Sequence, residues 1–399
     1  MAAASPLRSL WHHRALYGAR RRLIENDAAT LAAQVELTEI AAPTGEEERR
    51  GAWVAERFHL LGLDRVHIDS AGNVIGTRRG SSDEAPVVIC AHLDTVFPRD
   101  VIVRVRRDGD RLVAPGIGDN GRGLAAMLAL AEVIDGRNLR TRAPVSFVAT
   151  VGEEGRGDLR GAKHVFAGDV GGASAAIALD GAGDERIVHR ALGSRRYRIA
   201  YYGVGGHSWT AFGVPNAVHA AALAAARIAR IPLPSEPRTT LSVGRIGGGI
   251  SVNAIPDEAW LEVDLRSTST AVIDRLDREV RAAARAAEVE ESDRRIRGAP
   301  ALSLTIGTIG DRPNGETPVE HPLVVLAMEA TRLVGRDPEL ATASTDANVP
   351  ISRGIPAIAI GAGGRGGDAH TQGEWFENTD GALGLARALG IVVGAAGLH

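Results

Sequence analysis

Val87-Val-Ile-Cys-Ala-His-Leu-Asp94, Gly123-Leu-Ala-Ala-Met-Leu-Ala-Leu-Ala-Glu-Val-Ile-Asp135, Val145-Ser-Phe-Val-Ala149 and Ala175-Ala-Ile-Ala-Leu179 follow one another in the first half of the chain. The first, third and fourth contain short apolar runs without polar alternation, the pattern of strands buried on both faces. The second is apolar on nearly every face and long enough for a buried helix. Continuous apolar strands separated by helices define the fold class as α/β, with a mixed, mostly parallel sheet flanked by helices on both sides. Upstream, Thr44 and Glu47 have the spacing of a capping box. The helix they introduce is expected to bury Trp53, Val54, Phe58 and Leu61 and to stop at Gly62.

Beyond residue 192 the texture changes. Residues 196–201 alternate polar and apolar, as a half-exposed strand does. An Ala-rich helix opens at Pro215 and runs to about Ile231, two alternating strands lie near residues 241–244 and 259–265, and a helix follows with Ile273, Leu276, Val280 and Ala284 on one stripe. The first texture returns by about Thr308, with a helix at residues 322–333 and an apolar strand at residues 355–360. This predicts a catalytic domain formed by residues 1–191 and 308–399, with an inserted α+β sandwich, residues 192–307, as a lid.

A chain of 399 residues with 44% hydrophobic and 24% charged residues has enough material for two such cores. The formal net charge of -3, with no basic cluster carrying aromatics, argues against a nucleic-acid partner. No apolar run reaches the roughly 18 residues of a membrane-spanning helix, so no membrane partner is expected. Cys90 is the only cysteine, which leaves no internal disulfide or thiolate cage and points to a reducing compartment, the cytoplasm. Arg8, Arg14, Arg20, Arg21 and Arg22 precede the first acidic residue, Glu25. That pattern suits a solvated N-terminal helix, with an organelle transit segment as the alternative.

The metal-capable residues fall at strand ends. His92 and Asp94 follow one apolar strand, Glu153 and Glu154 the next, Asp180 a third, and His370 lies in the loop after the last. Open parallel sheets form their sites beyond the carboxyl ends of strands, so four separate segments deliver imidazole or carboxylate to one edge. Asp119 sits in the glycine-dense turn Gly116-Ile-Gly-Asp-Asn-Gly121, which aims one carboxylate inward. Singly, each of these residues reads as a core histidine, a solvated acidic turn or a turn former; their convergence outweighs those readings. His92, Asp119, Glu154, Asp180 and His370 offer two imidazoles and three carboxylates, a set for two divalent ions bridged by one carboxylate. Zinc is the first choice, with cobalt or manganese as alternatives. Paired ions of this kind polarise a carbonyl and activate a shared water.

The strings Ala91-His-Leu-Asp-Thr-Val96, Gly118-Asp-Asn-Gly121, Gly152-Glu-Glu-Gly155 and Asp368-Ala-His-Thr371 with Glu374 resemble, in order and along nearly the whole chain, the dizinc metallopeptidases that include glutamate carboxypeptidase, aminoacylase-1, succinyl-diaminopimelate desuccinylase and peptidase T. The resemblance implies a homodimeric metallopeptidase that cleaves a peptide or amide bond in a small peptide or N-acyl amino acid; an N-acyl-amino-acid deacylase is the alternative. It implies His92 and Asp180 on one ion, Glu154 and His370 on the other, Asp119 between them, Glu153 as general base on a metal-bridging water, and Asp94 orienting His92. In the lid, Gly205-Gly-His207-Ser208 matches the family's oxyanion-stabilising His supplied by a partner subunit. Residues 247–256 with Asn253, and Asp264-Leu-Arg266, match its substrate contacts, and residues 344–348 resemble a loop of the peptidase T-like branch. Two positions depart from the family: Trp209 stands where relatives carry a small residue, and Asn120 where many carry a second Asp.

Other function classes have less support. Gly116-Ile-Gly118-Asp-Asn-Gly121 literally matches GxGxxG, with Asp135 downstream, as in an NAD-dependent dehydrogenase. Yet the stretch before it is not a buried strand, and Asp119 would oppose a pyrophosphate. A metal-binding relative without catalysis is disfavoured because every expected ligand and Glu153 are present. No GxSxG supports a serine hydrolase.

Overall fold

The computed structural model describes residues 6–399, so the first five residues of the Arg-rich N-terminal segment lie outside the described residues. The chain divides into two compact units, one running to Ala191 and resuming at Glu316–His399, the other spanning Leu192–Gly315.

The first unit is built on a mixed sheet. Its spatial order is Asp64–Ile68, Val74–Arg78, Val145–Thr150, Val87–His92, Ala175–Leu179, Ala357–Ile360 and Arg186–Ala191, with Glu339–Ala343 parallel to the last. The central strands pair in parallel through Val87↔Val145, Val87↔Ala175 and Ala357↔Ala176. Alternation assigns the side chains to two layers. Val87, Ile89 and Ala91 join one core with the helices Arg14–Glu25, Glu48–Leu60, Gly121–Val133 and Gly381–Ala396, while Val88 and Cys90 join the other with Leu159, Ala162 and Val165. Glu132 alone among Gly121–Val133 escapes burial, as the nearly all-apolar sequence requires. The arginine-rich helix Arg14–Glu25 buries Leu16, Ala19 and Leu23 in the first core, and Arg20 lies 4.0 Å over the Trp11 ring.

The expected capping box does not form. The helix Glu48–Leu60 has Glu47 as its N-cap, without a side-chain capping bond. The Thr44 hydroxyl donates instead to Asp94 Oδ2 at 2.8 Å. The buried Glu47 carboxylate accepts from the Gly152 amide at 3.0 Å and from Arg160 at 2.7 Å. Both side chains find partners in the loops at the sheet edge, where a buried carboxylate needs donors more than an exposed helix end does. Val54 and Phe58 are buried, but Trp53 and Leu61 only partly. The chain turns at Gly62, with φ 67.

The inserted unit carries a four-stranded antiparallel sheet ordered Thr239–Gly248, Glu258–Ser267, Gly193–Tyr202 and Ser303–Arg312. The helices Ala217–Ile228 and Thr270–Asp293 cover one face, packing Ala220, Ala224, Val280 and Ala284 on Tyr197, Ile199 and Leu261. The first helix begins at Asn216, whose side chain accepts from the Val218 amide at 2.9 Å, rather than at Pro215. The strand Ser303–Arg312 crosses residue 308, so the return to the first unit falls at Glu316. Its Leu304 and Ile306 alternate with Ser303, Thr305 and Gly307 because it is an edge strand with one wet face. Among the described residues no helix is long and apolar enough to cross a membrane.

Candidate metal centre

At the carboxyl edge of the first unit's sheet, His92 closes the strand Val87–His92, Glu153 and Glu154 follow Val145–Thr150, and Asp180 follows Ala175–Leu179. His370 projects from the loop between the short paired strands Arg365–Gly367 and Trp375–Glu377, with φ 66. His92 Nε2 lies 2.9 Å from Asp119 Oδ1. His370 Nε2 lies 3.2 Å from Asp119 Oδ2 and 3.0 Å from Glu154 Oε1. Ligand atoms of His92, Asp119 and Asp180 all fall within 4.8 Å of one another, as do those of Asp119, Glu154 and His370. The two groups share Asp119. A third group, His92 with Glu153 and Glu154, places Glu153 against both.

An imidazole–carboxylate pair at such distances is also an ordinary hydrogen bond, so charge decides the fit. Burial, then the neighbouring Asp119, pushes the Asp180 carboxyl well above the usual carboxylate range; His92 offsets this only in part. Asp180 is a half-buried carboxylate without enough positive charge beside it, which a divalent ion would supply. His370 is held up to about 10 by its bonds to Asp119 and Glu154. Burial lowers His92, but Asp119 and Asp94 outweigh it, so both imidazoles favour the cationic form. Neighbouring ligands on one tetrahedral ion with bonds of roughly 2.0–2.1 Å stand about 3.3 Å apart, close to the observed separations. The donor set fits two divalent ions.

The surrounding loops are held by Glu374, Asn120, Asp94 and Arg50. The buried Glu374 carboxylate accepts the amides of Gly116, Gly118 and Asp119 at 3.0, 2.8 and 2.8 Å. Those glycine-loop amides are the ones a pyrophosphate would need, and the preceding strands Arg106–Asp108 and Arg111–Val113 are a largely exposed ribbon; both facts remove the dinucleotide reading. Asn120 Oδ1 accepts from Gly123 and Gly181 and its Nδ2 donates to Leu179 O, joining the helix start to the strand bearing Asp180. Asp94 accepts the Glu153 amide on Oδ1 and the Glu154 amide on Oδ2, each at 3.0 Å. His92 Nδ1 lies 3.0 Å from the Asp94 carbonyl and 3.6 Å from its carboxylate. Asp94 follows the strand rather than lying on it, and its carboxylate grips the Glu153–Glu154 backbone more closely than His92. The fully buried Arg50 donates to the carbonyls of Ile40, Leu93 and Thr38. Glu374 lay within a motif and Asn120 was a visible departure; Arg50 carried no signal in the sequence.

Three further residues belong to the inserted unit. His207 is exposed in the two-residue strand Gly206–His207, paired with Ala254–Ile255, and its Nδ1 accepts from the Trp209 amide at 3.2 Å. Asn253 is exposed in the turn before that partner strand, its carbonyl bonded to the Ser208 amide at 2.9 Å. Arg266 Nε donates to Asp264 Oδ2 at 2.7 Å, and Arg196 takes the other Asp264 oxygen at 2.9 Å. Burial raises the Asp264 carboxyl, but the two guanidinium groups more than offset it and hold it low.

Residues 88–392 match the sequence profile of peptidase family M20/M25/M40. The uncharacterised protein YqjE of Bacillus subtilis (strain 168) is 27% identical over 366 residues, 85% of this chain and 91% of that protein. A tripeptidase from Staphylococcus aureus superposes with a TM-score of 0.76 at 25% identity, covering 92% of this chain and 98% of its own. Aminopeptidase PepT from Bacillus cereus shares the fold, with a TM-score of 0.72 at 23% identity over 95% of this chain and 99% of its own. The ordered strand-end motifs, the two ligand groups on one carboxylate and a match spanning three quarters of the chain agree: it belongs to peptidase family M20/M25/M40, as a metal-dependent hydrolase of peptide or amide bonds.

Proposed function

We propose that this chain is a dinuclear zinc peptidase acting on small peptides that carry a free carboxylate. His92 and Asp180 would hold one ion and Glu154 and His370 the other, with Asp119 available to both. The observation that carries this reading is the pair of ligand groups sharing Asp119. The donors, two imidazoles and three carboxylates without a thiolate, favour zinc, with cobalt and manganese as the competitors. When bound, the ions supply Lewis acidity for the scissile carbonyl and lower the pKa of the attacking water.

The chain's own residues do the rest. Glu153 stands outside both Asp119 groups and is buried beside His92 and Glu154. It takes the proton of the attacking water and returns it to the leaving amine, as general base and then acid. Asp94 fixes Glu153 and Glu154 together through their amides, so base and ligand keep one spacing. His207 accepts from Trp209 at Nδ1, so a neutral ring carries its proton on Nε2 and can donate to the oxyanion. Arg266, steadied by Asp264, offers the fork that binds a carboxylate through two parallel bonds, with Asn253 as a second polar contact. The open edges of the inserted sheet, Thr239–Gly248 and Ser303–Arg312, support a homodimer formed through this unit. The single cysteine, buried Cys90, supports residence in the cytoplasm.

The deciding experiment is Glu153→Gln. Turnover should fall about 10²–10⁴-fold, with two metal equivalents retained by elemental analysis. Loss of a full equivalent would make Glu153 a ligand through the His92 and Glu154 group and remove it as the base.

A further inference from the structure

Between the strand Glu339–Ala343 and the short helix Asn348–Ser352, the first unit makes a closed turn at residues 345–348. The Thr345 amide donates to Asn348 Oδ1 at 3.0 Å, the Ala347 amide to Thr345 Oγ1 at 3.2 Å, and the Asn348 amide to the Thr345 carbonyl at 3.0 Å. Ala347 and Val349 pack in the second core with Cys90 and Ala178. The turn is therefore fixed, and it carries one acidic side chain, Asp346, which is 3% exposed.

The sheet register defines what Asp346 stands beside. Cys90, Val148 and Ala178 point into the second core, so the side chains two residues further on, His92, Thr150 and Asp180, share that face. Thr150 is the register partner of His92 on one side. Asp180 continues the Cys90↔Ala178 pairing on the other, and its amide donates to the Ile360 carbonyl at 2.9 Å. The buried Thr150 hydroxyl donates to Asp346 Oδ2 at 2.5 Å. A carboxylate thus lies behind the row formed by Thr150, His92 and Asp180. Its charge reaches along that row: after burial it is the next influence pushing the Cys90 thiol up, and it joins burial, Asp119 and Glu154 in pushing the Asp180 carboxyl up.

A tie between turn and sheet needs only a neutral acceptor for the Thr150 hydroxyl. A carboxylate in that place adds repulsion toward Asp180, which is relieved when a divalent cation joins Asp180. Charge set behind the ligands strengthens an ion without touching it.

We propose that Asp346, anchored by the Thr150 hydroxyl behind the strand ends that carry His92 and Asp180, is a positioning residue that tightens the ion held by those two ligands. The proposal rests on the dinuclear reading above.

The test uses the full chain stripped of metal by a chelator, with zinc binding followed by calorimetry and cobalt binding by visible absorption. The unmutated protein should take two equivalents. Asp346→Asn keeps an acceptor for Thr150 and removes the charge. It should weaken one of the two ions by about 10–100-fold, the range typical of groups that support metal ligands from behind, and leave the other little changed. His370→Ala should keep only the ion at His92 and Asp180, and adding Asp346→Asn should then produce the same loss in that ion. Denaturant unfolding of the metal-free chain separates charge from scaffolding, because removing a carboxylate that repels Asp180 should leave the midpoint unchanged or raise it. Thr150→Val, which takes away the anchor, should weaken the same ion at the low end of that range, and Thr150→Ser should restore it. Fewer than two equivalents in the unmutated protein overturns the dinuclear reading and the proposal with it. Two equivalents with unaltered affinities in Asp346→Asn and Thr150→Val overturns the proposal alone. So does a lowered metal-free midpoint with both ions weakened alike, which would make Asp346 a structural tie.

Discussion

The two units hold their functional side chains in opposite ways. In the first, His92, Glu153 and Glu154 are buried; the Glu153–Glu154 loop is tied by its backbone amides to Asp94 and Glu47, and the Asp119 loop to Glu374. In the second, His207 and Asn253 are exposed on turns, and Arg266 lies on a half-exposed strand held by an ion pair with Asp264. Placement of the candidate ligands in the first unit is a property of the folded core. In the second, the side chains that would read a substrate stand on a surface that can change residue by residue without touching that core.

Breaking the first unit's scaffold should have the largest effect. Arg50→Met removes the donors to three carbonyls, one of them Leu93 between His92 and Asp94. Leaving buried carbonyls unpaired costs about 1–3 kcal/mol each, so a loss of about 4 kcal/mol in unfolding free energy is expected. Metal affinity should fall with it. A loss below about 1 kcal/mol in denaturant titration would mean that the carbonyls find other donors and that the scaffold is less tightly specified than its geometry implies.

A change in the second unit should leave scaffold and metal intact. His207→Ala should lower kcat by about 10²–10³-fold, the value of one oxyanion donor, with metal content and unfolding midpoint unchanged. Mixing this variant with Glu153→Gln should recover activity if His207 acts across a dimer, because one hybrid site then holds both intact groups. Loss of metal in His207→Ala would erase the distinction between the units.

Protons sharpen the comparison as well. In the metal-free protein His370 is held up to about 10, and His92 is raised as well, so both rings are protonated at pH 7. Metal must displace those protons. Affinity should therefore rise as pH increases from 7 toward 10, by about 1.4 kcal/mol per pH unit for each proton displaced. Calorimetry in buffers of different ionisation enthalpy checks it; a buffer-independent enthalpy would refute it. The stability sign follows from the same shift. A folded pKa raised above 6.5 stabilises the metal-free chain fully below 6.5, and that contribution disappears as pH rises through about 10.

Much of the first unit was legible because its signal is local and redundant. Continuous apolar strands such as Val87–His92 announce two-sided burial, and the residue after each strand end falls at the site by topology alone. The capping box at Thr44 and Glu47 misled because both residues serve partners more than 45 residues away, Asp94 and Gly152, which no local pattern encodes. Arg50 was invisible for a related reason: an arginine in the amphipathic helix Glu48–Leu60 reads as solvated, and only tertiary packing reveals the carbonyls around it. Residue 308 looked like a boundary because one edge strand, Ser303–Arg312, has too few apolar residues to declare which sheet it joins. The turn after His207 was half legible. Trp209 stood out as a departure, but its company with Phe212, Ile250 and Val252 depends on the pairing of Gly206–His207 with Ala254–Ile255.

His370 bonds to Asp119 and Glu154, and Glu374 holds the Asp119 loop, yet both arrive after the whole inserted unit in the order of synthesis. At roughly 5–20 residues per second, a ribosome delivers His370 roughly 10–40 s after Asp180. Through that interval the growing chain carries His92, Asp119, Glu153, Glu154 and Asp180 without the group that completes the second ligand set. If the proposed centre takes two ions, nascent chains carry an acidic, half-built site, and the second ion would bind only after the C-terminal segment closes on the sheet. On that reading, full metal loading would distinguish finished molecules from truncated ones.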